Sequence, residues 1–370
     1  MFDRRLIQCF DWGLLLLTLL LLGVGLIALC SAVFSAKLDM TAANTTLIMK
    51  QLIAIGIGML FMIFLLFIDY RNLDRWAYFI YFVTVLMLIW VLYYGHFVAG
   101  SRRWLVFGML RFQPSEIAKL SVIIILSHYY SRTITDQGLS FKDLLIPLIL
   151  TVLPCMFILK QPDLGTAGLI FLNASAMTWF VKVKKRTLIA IATILVICLP
   201  LGWFMLKDYQ QARIKSFLDP NRDPLGSGYH VIQSKIAIGS GRMLGKGFLQ
   251  GTQNDLAFLP EQHTDFIFSV LAEEWGFVGS MTVIILYFLL IMWTLYVANV
   301  SRDIFGKLLA VGICAMIFWQ MSINIGMVMG LMPVVGVTLP FISYGGSSIV
   351  TTLIGIGILL NISMRRFMFD

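Results

Sequence analysis

The residues best suited to chemistry here are carboxylates and arginines that sit in polar segments between long apolar runs. Asp265, in FLPEQHTDFIFSVLAEEWG, stands where a polar stretch gives way to an apolar one. A carboxylate at that border faces water and lipid together, which makes it a candidate functional group. It equally suits a helix cap, because Asp at an N-terminus satisfies free N–H groups and complements the dipole. Glu273 and Glu274 follow about two turns further on. An ionised acid inside a membrane helix is costly unless it is paired or lines a cavity, so Glu273 is a candidate for contact with substrate.

A second group lies in GSRRWLVFGMLRFQPSEIAK, Gly100 to Lys119. Arg102, Arg103 and Arg111 put three permanent positive charges in one short connection. Arginine suits pyrophosphate because its planar fork donates two parallel hydrogen bonds and keeps its proton. Pairing with lipid headgroups or loop acids is the plainer alternative. Glu116 and Lys119 are three apart at the start of the next apolar run, so they share a helix face and either neutralise each other or act together. Asp163, in QPDLGT, sits in a segment that reads as an ordinary turn, and it would hold a cation, orient a basic residue or support the loop. In LPFISYGGSS, Leu339 to Ser348, paired glycines and hydroxyls allow close helix approach. A divalent cation such as Mg2+ is compatible with a leaving pyrophosphate, though no ligand spacing asks for one.

Apolar helices must position these groups. The chain has 370 residues, 59% of them hydrophobic and 13% charged, with a mean hydropathy of +0.89. Lipid is the solvent that such a balance implies. Ten runs of roughly the twenty apolar residues needed to cross a bilayer fall near 11–34, 47–68, 73–94, 114–130, 143–159, 165–181, 187–206, 267–298, 305–330 and 340–363. The expected fold is therefore all-α, a polytopic membrane protein of about ten transmembrane helices forming one domain over 1–370. A long extracytoplasmic loop, about 207–264, joins the seventh helix to the eighth. Within it Tyr229 to Ile238 reads as a helix lying on the membrane surface. The first run follows Arg4 and Arg5 but is too long for a secretory signal, so it is read as a retained span.

Placing the N-terminus in the cytoplasm collects Arg4/Arg5, Arg71/Arg75, Arg132/Lys142, Lys182 to Arg186, Arg302/Lys307 and Arg365/Arg366 on one side. That is the distribution expected of an inner-membrane protein with both termini cytoplasmic. Arg102, Arg103 and Arg111 break the rule on the other side, which marks that face as functional. The formal net charge of +9 follows from topology, and no long basic face points to nucleic acid. Five cysteines, nearly all within apolar runs, read as packing residues.

The stretches RRWLVFGMLRFQPSEIAK, QPDLGT, DPLGSGYHVIQSKIAIGSG, GTQNDLAFLPEQHTDFIFSVLAEEWG and GLMPVVGVTLPFISYGGSS, in this order, resemble the SEDS family of shape, elongation, division and sporulation proteins. YHVIQSKIAIGSG followed by KGFLQGTQ is more similar to its elongation branch than to its division branch. The resemblance covers essentially the whole chain. It implies ten helices and a peptidoglycan glycosyltransferase that polymerises lipid II into a nascent β-1,4 glycan. It also implies work with a class B penicillin-binding protein and other membrane proteins of an elongation complex, among membrane lipids. Asp265 matches the family's essential carboxylate and Asp163 its loop aspartate. Arg111 and Lys119 match its basic positions, with Glu116 between them. Two other readings of the same residues are a transporter that flips the lipid-linked precursor and a noncatalytic scaffold of the wall-building complex.

Overall fold

A backbone crossing hydrocarbon must satisfy its own amides, so long apolar runs form helices. The computed structural model describes residues 9–34, 42–98, 101–107, 110–134, 138–190, 208–219, 227–252 and 263–366, with isolated positions between 193 and 204. Among the described residues, six helices are long and apolar enough to span a membrane. They are α1 (Trp12–Phe34), α2 (Ala42–Phe67, apolar from Thr45), α3 (Arg71–Tyr94), α9 (Ile267–Val300), α10 (Ile304–Val328) and α11 (Gly346–Met364). Shorter apolar helices are α5 (Leu145–Lys160) and α6 (Leu164–Phe180). The seventh expected run, 187–206, falls largely outside the described residues.

Helix α4 (Pro114–Thr133) is the least apolar of the set, carrying Glu116, Lys119, Ser121, Ser127 and His128. It can be polar because it is buried among α3, α6, α10 and α11 and presents little to lipid. Helices α10 and α11 are likewise buried along most of their length, whereas α2 and α3 expose many large apolar side chains as a lipid-facing wall.

The connection between α3 and α4, expected as a loop, is built as a small antiparallel sheet. Strands β1 (His96–Val98), β2 (Ser101–Phe107) and β3 (Leu110–Phe112) pair in sequence order, with Phe97 opposite Arg102 and Leu105 opposite Phe112. Alternating aromatic and branched residues around Gly108 favour such hairpins. Two further helices, α7 (Asp208–Leu218) and α8 (Ser227–Ser240), come from the long 207–264 loop, and α8 covers the helix expected at 229–238. The sheet and this loop share one end of the bundle, hereafter the loop end.

Helix α9 is not one straight rod. Gly276 has φ +65 and ψ −160, which divides it into an outer segment before Gly276 and a spanning segment after it. The chain reverses there. Thr264, before the outer segment, accepts from Ser343 Oγ at 2.6 Å, and Tyr287, well down the spanning segment, donates to Pro340 O. Both ends of the kinked helix thus return to one turn, Leu339–Ser343.

Candidate functional site

The turn Leu339–Ser343 lies inside the bundle. Gln51 is nine residues from the loop end of α2, about 13 Å at helical rise. Its amide donates to Ser343 O at 3.1 Å and accepts from Gly345 N at 3.2 Å. On the other side Gly25, equally far down α1, lets the chain at Phe341 come close: a Cβ there would meet Phe341 O at 2.4 Å. Phe341 is held at φ +66, a conformation that costs energy and persists only where surroundings impose it.

That recessed turn carries Asp265. Besides the Ser343 bond to Thr264, Tyr344 N donates to His263 O at 2.9 Å and Asn324 Nδ2 donates to Asp265 O at 3.0 Å. Asn324 is fully buried and also donates to Val337 O at 2.7 Å, which ties α10 to both sides of the site. The backbone of 263–265 is therefore fixed by two neighbouring segments, α10 and the stretch at Ser343–Tyr344. The Asp265 side chain is half-buried, with Oδ2 close beside Gly336. Asp265 begins the outer segment of α9, as expected, but no side-chain cap is made by the N-cap residue Phe266.

The arginine segment reaches the start of α11, just after that turn. Ser347 Oγ accepts from Gln113 N at 3.0 Å and donates to Arg111 O at 3.2 Å. Arg111 is exposed, and its charge bears on Tyr344: burial pushes that hydroxyl's pKa up and the guanidinium pulls it back. Lys119 is 1% exposed and lies 2.7 Å from Glu116 Oε2, so the pair expected from their spacing forms as a buried ion pair.

Asp163 and Arg103 have structural partners. Asp163 caps α6, accepting from Thr166 N at 3.1 Å and Thr166 Oγ1 at 2.9 Å, and it accepts from Gln113 Nε2 at 3.1 Å. Arg103 spends its fork on the same turn, with Nε to Gln161 O at 3.0 Å, Nη2 to Pro162 O at 2.7 Å and Nη1 3.8 Å from Asp163. Both Asp163 oxygens face donors and the Arg103 guanidinium stands nearby, so of the roles open to the residue the geometry displays two, supporting the turn and facing a basic side chain. Among the described residues no three His, Cys, Asp or Glu side chains gather as a metal centre would require. Arg102 is exposed, with one long contact to Tyr93 O at 3.5 Å.

Glu273, expected to be either paired or lining a cavity, is paired. It is 1% exposed and accepts from Lys246 Nζ at 2.6 Å and Thr252 Oγ1 at 3.1 Å. Glu274 accepts from Ser31. These acids sit just before the Gly276 reversal, so they lie near the loop end of the bundle and not deep in it.

Sequence reasoning passed over Gln51, Gln113, Asn324, Ser343 and Lys246. For Gln51 and Asn324 a signal existed: a lone amide inside an apolar run is expensive unless it makes such bonds. Together the site offers a half-buried carboxylate recessed below the helix ends, a basic residue, Arg111, tied to the start of α11 and a buried ion pair in the first turns of α4. Such a set can take a proton from a hydroxyl and receive negative charge nearby.

The chain matches the cell cycle protein family FtsW, RodA and SpoVE over residues 12–367. It is 42% identical to the peptidoglycan glycosyltransferase MrdB of Escherichia coli (strain K12), covering 93% of this chain and 94% of that one. It is 37% identical to stage V sporulation protein E of Bacillus subtilis (strain 168), over 95% and 96% of the two chains. Among solved structures it is similar to a chain of a peptidoglycan synthase complex that coordinates polymerization and crosslinking, with a TM-score of 0.81, 35% identity and coverage of 98% and 99%. The rod shape determining protein RodA of Thermus thermophilus gives a TM-score of 0.69 at 30% identity, over 97% and 98%.

Proposed function

The chain belongs to the FtsW, RodA and SpoVE family and is a peptidoglycan glycosyltransferase, and we propose that it polymerises lipid II at the outer face of the cytoplasmic membrane during cell elongation. The loop end then faces out and both termini face the cytoplasm. The gathering of Arg71, Arg75, Arg132, Lys142, Arg302 and Lys307 at the opposite end supports that orientation.

In the proposed reaction Asp265 takes the proton of the acceptor's GlcNAc 4-hydroxyl. The freed oxygen bonds to the donor's anomeric carbon while the bond from that carbon to the lipid diphosphate breaks. One displacement inverts the centre, so an α-linked donor yields a β-1,4 link. The diphosphate leaves with the bonding electrons; the exposed Arg111 is the cation assigned to it, and Lys119, buried against Glu116, acts from behind through its charge. Fixed charges in a partly desolvated site stabilise such developing charge more than water does. Arg102 is free enough to meet the diphosphate at the membrane surface. Arg103, Asp163 and Glu273 act by holding the walls.

One observation carries this reading: Asp265 sits on a backbone fixed by Asn324, Ser343 and Tyr344, with its carboxylate beside a glycine. A general base needs fixed geometry more than any other feature. The similarity to a synthase complex that couples polymerization to crosslinking supports a class B penicillin-binding protein as partner. Purified chain, with and without that partner, is to be given lipid II and the glycan products resolved on a gel. Asp265→Asn should reduce polymer by about 10²- to 10⁴-fold with the fold intact. Flipping of lipid II in vesicles without any polymer would transfer the assignment to a transporter.

A further inference from the structure

The reversal of α9 leaves backbone groups without helical partners, and the segment Arg242–Gly247 satisfies four of them. Glu273 O and Glu274 O accept from Lys246 N at 3.1 Å and Gly247 N at 3.0 Å, while Phe277 N and Val278 N donate to Arg242 O at 2.9 Å and Met243 O at 3.1 Å. Glycine makes this lap possible. A Cβ on Gly241 would stand 2.0 Å from Ala272 O and one on Gly245 2.0 Å from Glu274 O.

This strap carries a cluster of apolar side chains that none of the described residues covers. Met243 is 63% exposed and Leu244 80%, and Phe248 and Leu249 are exposed beside them. Four such residues within seven positions are poorly matched to water, because apolar surface is driven out of it. Their height is set by the backbone bonds to Phe277 and Val278, whose own side chains are exposed on the lipid-facing wall of α9. From Phe277 to Val300 the spanning segment is about 36 Å long, only a few ångströms more than the hydrocarbon thickness of about 30 Å. The strap therefore lies at the membrane boundary. Arg242, exposed and next to Met243, is placed to snorkel to lipid phosphates.

We propose that residues 242–249 form a membrane-seated strap, with Met243, Leu244, Phe248 and Leu249 in the hydrocarbon of the loop-end leaflet and Arg242 at its phosphates. The lipid-facing surface of α9 continues directly into this patch, which favours lipid over a protein partner as its occupant. Through the Lys246–Glu273 pair and the four backbone bonds, the bilayer then fixes the height of the α9 outer segment that starts at Asp265.

A photoactivatable benzophenylalanine placed at Leu244 of the full chain, in vesicles of phosphatidylethanolamine and phosphatidylglycerol, tests this. Irradiation followed by mass spectrometry should find phospholipid acyl adducts at Leu244, at a yield within about threefold of the same probe at the lipid-facing Phe277. Labelling at Phe277 with no lipid adduct at Leu244 overturns the proposal, as does capture of protein in place of lipid at Leu244 when the penicillin-binding partner is present. The readout needs no turnover, so it stands or falls separately from the polymerase assignment.

Discussion

Gly336 makes the room in which the Asp265 carboxylate stands: a Cβ on that glycine would lie 3.3 Å from Asp265 Oδ2, and its backbone is at φ +73. A side chain there would both crowd the acid and strain the chain. The positive φ alone costs an L-residue roughly 1–2 kcal/mol. Gly336→Ala is expected to lower polymer formation about tenfold or more, because a shift of Asp265 worth about 1.4 kcal/mol in the transition state has that effect. Thermal midpoint and polymer yield are the paired measurements. A normal rate in a variant with the expected loss of stability would separate Gly336 from catalysis.

Arg103 and Arg102 are neighbours with different fates. Arg103 donates to two carbonyls and faces Asp163, a geometry that needs a planar fork, while Arg102 makes one long contact from an exposed position. Lysine cannot reproduce the fork. Arg103→Lys should therefore destabilise nearly as much as Arg103→Ala, by about 1–3 kcal/mol for hydrogen bonds left unmade at a partly buried turn. Arg102→Lys should leave stability unchanged. Thermal unfolding in detergent compares them, and a fully stable Arg103→Lys would mean that only its charge matters.

The spans were legible because hydropathy follows directly from the solvent, and charge counts gave the common side of the site. The partners of each charged group were less legible. Arg103 reads as a phosphate ligand from its place in an extracytoplasmic segment, but the carbonyls it holds are 58 and 59 residues away. Glu273 looks like a buried acid in a continuous apolar helix until Gly276 reverses the chain and Lys246 arrives from the long loop. Local pattern reports a residue's preference for water or lipid. It does not report contacts made by chain reversal, which depend on two glycines meeting, Gly245 and Gly276. The strands at 96–112 were obscured for a related reason, since basic residues at Arg102 and Arg103 interrupt their apolar alternation.

The Lys246–Glu273 pair should be asymmetric. Glu273 is buried, whereas a quarter of the Lys246 side chain reaches solvent. Lys246→Met takes the ammonium from a buried carboxylate that also accepts from Thr252 at 3.1 Å and Ser240 at 3.5 Å. An uncompensated buried charge is costly, so this variant should be the less stable by about 1–3 kcal/mol or more. Glu273→Gln leaves an ammonium that can turn to water and should lose less. Combining the two should return stability toward that of Glu273→Gln alone. Equal losses from the two single variants would show that Glu273 is better solvated than its burial implies.

Gly276 is the position where one methyl group should do most damage. Its φ of +65 with ψ −160 belongs to a region used essentially by glycine alone, costing other residues of order 1–3 kcal/mol. A Cβ there would also stand 2.3 Å from Gly245 N, inside the lap that satisfies the broken helix. If the helix straightened to escape that clash, Thr264 and Tyr287 could not both reach the Leu339–Ser343 turn, and Asp265 would leave its place beside Gly336. Gly276→Ala is thus expected to lower the thermal midpoint and abolish polymer together. Gly239→Ala is the control: it lies in α8 with open space around its Cβ, and alanine is the better helix former by roughly 0.5–1 kcal/mol. That variant should be as stable as the parent or more so. A Gly276→Ala protein with full activity would show that α9 runs straight through, and the recessed position of Asp265 would have to be abandoned.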